Sequence, residues 1–302
     1  MSKPSNSPGA ASPEVVEYYS KNWEKIANCY DLGPSGLPID PAWYRRRLYQ
    51  QFLDEKSPGS IFDAGCGGGW TVLDALARNI DAHGVEPVTE LHAFAQSLIS
   101  ANGHAPERIA RNDLSVIRDH KSSSWDCTAL LSVLPHIPAE QWDTAHENIH
   151  RILKPGGHLV AAYRNSLFDM YTFNSLTVDF FEEHLWDTTS TADDAARINA
   201  ENLKGLIVNP TIPGRSFTAA EDKSFGKLHR PKSNPLTIRN YLSKFGFQVN
   251  RIRFYHFHCV PPLLKSKTPD FEQINHKMEM SMSDDWRGHF MAAMFLVEAQ
   301  KI

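Results

Sequence analysis

Along residues 60–163, short apolar runs closed by turn residues alternate with segments in which apolar side chains recur every third or fourth position. The runs at 60–64, 82–86, 107–111, 125–131 and 157–163 predict strands, and 68–79, 88–101 and 139–153 predict helices. Such alternation implies a parallel sheet with helices on both faces, because each crossover carries a helix back over the sheet. The pattern resumes at Pro235 with a helix in LTIRNYLSKFG, a strand over 250–259, a helix in FEQINHKMEM and a last strand in HFMAAMFLVEA. The expected fold class is α/β, with a doubly wound, seven-stranded, mostly parallel sheet.

Two segments depart from this rhythm. Pro13 opens EVVEYYSKNWEKIANCYD, which predicts one helix with Val16, Tyr19, Trp23, Ile26 and Tyr30 on a shared face; a second helix from Pro41 to about Asp54 carries Arg45, Arg46 and Arg47. Residues 164–234 insert a stretch holding Phe168, Tyr171, Phe173, Phe180, Phe181 and Trp186. Aromatic surface of that size needs something to pack on, so this insertion is expected to cover the crevice at the carboxyl ends of the strands. The expected organisation is a disordered tail over 1–12, a helical lid over 13–58, a core over 59–163 and 235–302, and a covering insertion over 164–234.

The chemistry concentrates in IFDAGCGGGW, where a strand ends in Asp63 and Gly65, Gly67, Gly68 and Gly69 crowd the following turn. A strand, a glycine-rich turn and a helix N-terminus make the nucleotide crevice of an open α/β sheet. A phosphate-binding loop would need Gly, four residues, Gly and Lys-Ser/Thr, whereas this turn runs into Trp70 and Thr71; a dinucleotide fingerprint would need glycine where Trp70 stands. A carboxylate aimed into the site also repels pyrophosphate, so the expected ligand carries positive charge.

These residues resemble the first motif of the class I S-adenosylmethionine-dependent methyltransferases, (D/E)-x-G-x-G-x-G, through Asp63, Gly65, Gly67 and Gly69, with Cys66 between the first two glycines. Four further stations follow in the family's order. AHGVEP ends the second strand at Glu86, ARNDLSV holds Asp113 and Leu114, WDCTALLSVLPHI carries Ser132 and His136, and RILKPGGHLVAAY resembles the next helix, turn and strand. The resemblance implies a Rossmann-like methyltransferase fold, S-adenosyl-L-methionine as cofactor and S-adenosyl-L-homocysteine as product. It implies that Glu86 accepts from the ribose hydroxyls, that Asp113 and Leu114 meet the adenine edge, and that Ser132 lies by the methionine end. Pro135 stands where many small-molecule members have glutamate, a departure within the segment from which the methyl should emerge.

Composition changes this picture little. The 302 residues carry a net charge of −4, which exerts no general pull toward nucleic acid. No stretch approaches the roughly 18 apolar residues of a membrane span, and MSKPSNSPGAASP lacks the apolar core of a signal peptide. Cys29, Cys66, Cys127 and Cys259 have neither CxxC nor zinc spacing. A cytoplasmic protein with reduced thiols and no metal is the expectation.

Charge distribution is more informative. Lys223 to Lys267 holds ten Lys and Arg and no acid, leaving 21 basic against 35 acidic residues elsewhere. That segregation fits either a solvated basic face or a positive field for a carboxylate, phosphate or nucleotide-linked substrate, with Arg251 and Arg253 as candidate contacts. In the strand at 250–259, alternation puts His256 and His258 on one face, at the end facing the crevice. Either histidine, or His136, is placed to orient an acceptor or take its proton; satisfied strand-end histidines give the same pattern. Tyr19, Trp23 and Tyr30 are candidate substrate contacts from the lid, or core packing. The expected function is transfer of a methyl group to oxygen or nitrogen of a small, possibly anionic, metabolite. Alternatives are an isoprenoid-quinone or a protein or RNA acceptor, or binding of S-adenosylmethionine without catalysis.

Overall fold

The computed structural model describes residues 11–185, 202–203, 205–207 and 231–302. Seven strands form one sheet: β1 Ser60–Ala64, β2 Asp81–Val85, β3 Ile109–Ala110, β4 Trp125–Leu130, β5 Leu153–Arg164, β6 Phe247–Phe257 and β7 Ala292–Lys301. Their order is β3-β2-β1-β4-β5-β7-β6, with β7 antiparallel to both neighbours and the remaining pairs parallel. This is the expected doubly wound, mostly parallel sheet. The chain changes direction between β1 and β4, so a crevice opens where their carboxyl ends diverge.

Strand residues divide between two cores by the period of two. Phe62, Leu130, Leu159 and Ala161 face one core with the helix Trp142–Ile152, while Ile61, Ala129, Val160 and Ala162 face the other. The second core is built on Leu48, Tyr49, Phe52 and Leu53 of α3, the helix Ala42–Lys56. Spaced for one helical face and all buried, they each contribute about 1.5–3 kcal/mol. α3 is thereby fastened to the sheet, and its first turn is held beside the crevice.

The N-terminal segment breaks where one helix was expected. Ser12 caps α1 (Pro13–Lys21) by accepting from the Val15 N–H at 3.3 Å, with Pro13 in the first turn. At Asn22 the side-chain amide donates to the Tyr18 carbonyl at 2.8 Å, competing with the helical ladder, and α2 (Trp23–Ala27) starts afresh. α1 and α2 lie on the helix Thr89–Ala101, burying Ala27 against Val88 and Leu91. The Trp70 indole N–H, donating to the Ala27 carbonyl at 2.9 Å, joins them to the glycine-rich turn.

Two other elements differ from the expectation. β3 is only two residues long, because Pro106 begins a 3-10 turn over Pro106–Arg108 and cannot donate to the sheet. β7 starts at Ala292 after a helical turn, Gly288–Met291, whose carbonyl at His289 accepts from the Asn165 amide at 2.8 Å. Within 164–234, the segments Phe168–Thr172 and Ser175–His184 are helical, and Phe168 and Phe180 are buried. Trp186, Lys223, Lys227, Arg230 and residues 1–10 of the expected tail lie outside the described residues. Among the described residues no helix is long and apolar enough to cross a membrane.

Candidate active site

β1 delivers Asp63 to the crevice, and the chain turns away at once. Gly65 takes φ +87°, and a Cβ there would lie 2.5 Å from Val133 Cγ2, so only glycine allows β1 and the segment after β4 to approach this closely. The Gly65 and Cys66 N–H groups both donate to the Val85 carbonyl at 2.9 Å, pinning the turn to the end of β2. Helix Trp70–Leu76 begins directly behind it.

The two carboxylates at the strand ends are buried and differently satisfied. Asp63 is 1% exposed; one oxygen accepts from the Thr71 hydroxyl, and the other, Oδ1, has no partner. Burial pushes its pKa up to about 6. Glu86 accepts from Gly67 N–H at 3.0 Å through Oε2 and from Val88 N–H at 2.9 Å through Oε1, yet burial still pushes it up to about 7. Asp113 accepts from the Ser115 N–H at 2.9 Å and caps the turn that buries Leu114.

Asp63, the turn Gly65–Gly67, Glu86, Asp113, Leu114 and Ser132 all line one cavity of about 1160 Å³. Ser132 has φ +69°, and its hydroxyl accepts from Arg45. Arg45, on the first turn of α3, also donates to the Tyr30 hydroxyl at 3.2 Å. It is a cavity residue that sequence reasoning did not nominate. Its signal was the run of three arginines just before β1, which separate in space. Arg46 grips Asp74 through bonds of 2.6 and 2.7 Å and lies 4.8 Å over the Trp70 ring.

A profile of the methyltransferase domain family matches residues 61–157, the part of the chain that builds this turn and both acidic strand ends. The ubiquinone biosynthesis O-methyltransferase of Alkalilimnicola ehrlichii is 27% identical over 236 residues, covering 72% of this chain and 88% of that protein. A Burkholderia thailandensis 1,6-didemethyltoxoflavin-N1-methyltransferase, solved with bound 1,6-didemethyltoxoflavin and S-adenosylhomocysteine, superposes with a TM-score of 0.53 at 12% identity, covering 100% of this chain and 93% of that one. Residues 61–157 are thus a methyltransferase domain, and the chain has the fold of S-adenosylmethionine-dependent methyltransferases. The Saccharomyces cerevisiae tRNA(Thr) (cytosine(32)-N(3))-methyltransferase is 30% identical over 121 residues, 37% of this chain, which spans only 19% of that relative.

The methyltransferase cavity continues beyond the acidic strand ends. Tyr19 and Tyr30 line it, and the Tyr19 hydroxyl meets His136 Nε2 at 2.6 Å. His256 and His258 line it too, with ring centroids 5.1 Å apart. His256 has φ +61°, which turns β6 at its end. Burial, with nearby cations adding to it, lowers His256 to about 4 and His258 to about 3, so both are neutral near pH 7. Arg164, at the end of β5, and Lys232 and Lys265 complete the basic part of the lining.

Three residues expected at the substrate are elsewhere. Trp23 points away from the cavity, its ring 6.3 Å from Phe94 in the packing between α2 and Thr89–Ala101. Arg251 is held at the surface by Asp284, with bonds of 2.8 and 2.9 Å. Arg253 is 1% exposed and ion-paired with Glu298 on β7, donating also to the Leu48 carbonyl at 2.6 Å. The bulge between Val249 and Arg251 sets this register and puts both arginines against β7 and α3 rather than at the strand's end. Among the described residues no group of three or more His, Cys, Asp or Glu is arranged to hold a metal ion.

Proposed function

We propose that this methyltransferase transfers a methyl group to an oxygen or nitrogen of a small molecule held beneath the N-terminal helices. The observation that carries the reading is one continuous cavity of about 1160 Å³, which runs from Asp63 and Glu86 to His136, His256 and Arg164 and is walled by residues of α1, α2 and the helix Phe168–Thr172. That volume exceeds the roughly 300–1,000 Å³ of an ordinary small-molecule pocket, as expected for cofactor and acceptor side by side. The wall of helices disfavours a bulky macromolecule. In this reading 13–58 acts as a lid and 164–234 as a cover over a core of 59–163 and 235–302.

S-adenosylmethionine supplies an electrophilic methyl on a sulfonium. The residues present fit it: Glu86 would accept from the ribose hydroxyls, the partnerless Asp63 Oδ1 would meet the cationic methionine end, and Asp113 and Leu114 would border the adenine. Arg45 and Ser132 would hold its carboxylate. The remaining task of the protein is positioning, since in-line displacement needs the acceptor atom aligned in a dry site. His136, braced by Tyr19, is the proposed group to orient the acceptor or take its proton. His256, near the end of β6, and His258, just beyond it, are held neutral far below the ordinary imidazole range and serve better as hydrogen-bonding groups than as bases.

A phenolic ring of the quinone type is the acceptor that the 27% identity over most of the chain favours. Label from methyl-labelled S-adenosylmethionine, after incubation with a fractionated cell extract, should enter the small-molecule fraction. Label confined to the RNA or protein fraction would overturn the reading.

A further inference from the structure

Charged side chains line both sides of the cavity, acids with Arg45 near them on one and cations with Asp169 and Glu272 near them on the other. Asp63, Glu86 and Asp113 line it at the ends of β1 to β3, whereas Arg164, Lys232 and Lys265 line it on the side of β5 and β6. The three cations are not equivalent. Lys232 is neutralised by Asp169, and Lys265 pairs with Glu272 at 3.0 Å near solvent. Arg164 has no ion pair and no side-chain hydrogen bond among the described residues, although burial works against its charge. Asp169, whose charge it feels, is committed to Lys232. A guanidinium does not shed its proton, so a desolvated one without a partner stands ready for an anion, and its planar fork fits a carboxylate or phosphate.

A second observation lies beside it. The His258 Nδ1 atom is buried and without a partner, and its ring stands 5.1 Å from that of His256. Arg164 and Lys265 both act on His256 to disfavour a further positive charge there. The result is a cluster of one unpaired cation and two neutral imidazoles that offer N–H donors, with the nearby carboxylates Asp169 and Glu272 committed to Lys232 and Lys265.

We propose that Arg164 anchors an anionic group of the methyl acceptor, a carboxylate or a phosphate, with Lys265 as the second cation and His258 donating to the same group. The assignment rests on the reading of the cavity as a methyl-transfer site and adds the acceptor's charge and its anchor. Arg164 lines the same cavity as Tyr19 and its partner His136, so the anion would be held in the space where the acceptor atom is positioned.

The test uses the full chain saturated with S-adenosylhomocysteine and three aryl probes: 4-hydroxybenzoate, its neutral isostere 4-hydroxybenzamide, and phenyl phosphate. Calorimetry should show at least one anionic probe binding about 10- to 100-fold tighter than the amide, the range expected for a charge-assisted pair. Whichever anion binds tighter identifies the group. Arg164→Gln should abolish the preference and leave homocysteine-product affinity unchanged; Arg164→Lys should keep part of it.

Absence of a charge preference in the wild type, or its survival in Arg164→Gln, would overturn the proposal. So would loss of product binding in Arg164→Gln with its melting transition intact, because the guanidinium would then serve the cofactor. If Arg164→Gln does not fold, the wild-type preference and its retention in Arg164→Lys decide. Failure of the wild type to bind S-adenosylhomocysteine at all would instead remove the methyl-transfer reading itself.

Discussion

Tyr19 and His136 are joined hydroxyl to imidazole at 2.6 Å, with their rings edge to face and 5.0 Å between centroids. The pair ties α1 to the segment after β4 at the cavity wall, so the N-terminal helix is part of the site's construction. If His136 takes or orients the acceptor proton, His136→Ala should keep cofactor binding and lower kcat by about 10²- to 10⁴-fold. His256→Ala and His258→Ala should act mainly on acceptor KM. A normal kcat in His136→Ala, with the loss in one of the other two, would move the base to β6.

The same bond predicts coupled dynamics. α1 buries no residue fully and touches the core through its partly buried Val16 and Tyr19, so its amides should exchange quickly in the free protein. S-adenosylhomocysteine should slow exchange over residues 13–27 and leave α3 unchanged. Protection already complete without ligand would make these helices a fixed wall rather than a lid.

Arg253 and Arg251 should separate sharply in stability. Removing Arg253 leaves Glu298 buried and unpaired, so Arg253→Ala should cost about 3–5 kcal/mol in urea unfolding. Arg251→Ala breaks an exposed pair and should cost about 0–1 kcal/mol. Equal losses would mean that the Arg253–Glu298 pair is not desolvated.

Cofactor binding should release protons. Burial holds Glu86 up at about 7 and Asp63 at about 6, above the ordinary carboxylate range. Hydroxyl and ammonium donors from the ligand favour the charged carboxylates, so binding lowers both pKa values and expels protons near pH 6.5. Affinity should therefore rise as pH climbs through about 6 to 7 and level off above it. Calorimetry in buffers of different ionisation enthalpy measures the release; proton uptake, or none, would contradict the assignment.

The sheet and the acidic strand ends were legible because they are local. The strands β1 to β4 are short, mostly apolar runs, and Asp63, Glu86 and Asp113 sit at or just beyond the ends of three of them, so linear order alone brings them to the crevice. The break at Asn22 was not legible, since it turns on one side chain bonding back to the Tyr18 carbonyl. Arg251 and Arg253 were misplaced for a related reason. Charge segregation along the chain says nothing of which acid each arginine meets, and their partners Asp284 and Glu298 come from far along the sequence. Arg45 and Arg164 were passed over because their place depends on how α3 and β5 reach the cavity, which no local pattern records.

The central claim is that the crevice between Asp63 and Glu86 is a site for S-adenosylmethionine. Calorimetric titration of the wild type and of Glu86→Ala with S-adenosylhomocysteine, repeated with NAD and ATP as competitors, tests it most directly. The wild type should bind with a micromolar-order Kd that neither competitor shifts. Glu86→Ala should bind roughly 30-fold more weakly, the equivalent of about 2 kcal/mol for ribose hydroxyls left without their acceptor. Displacement by NAD, or undiminished binding in Glu86→Ala, would contradict the account.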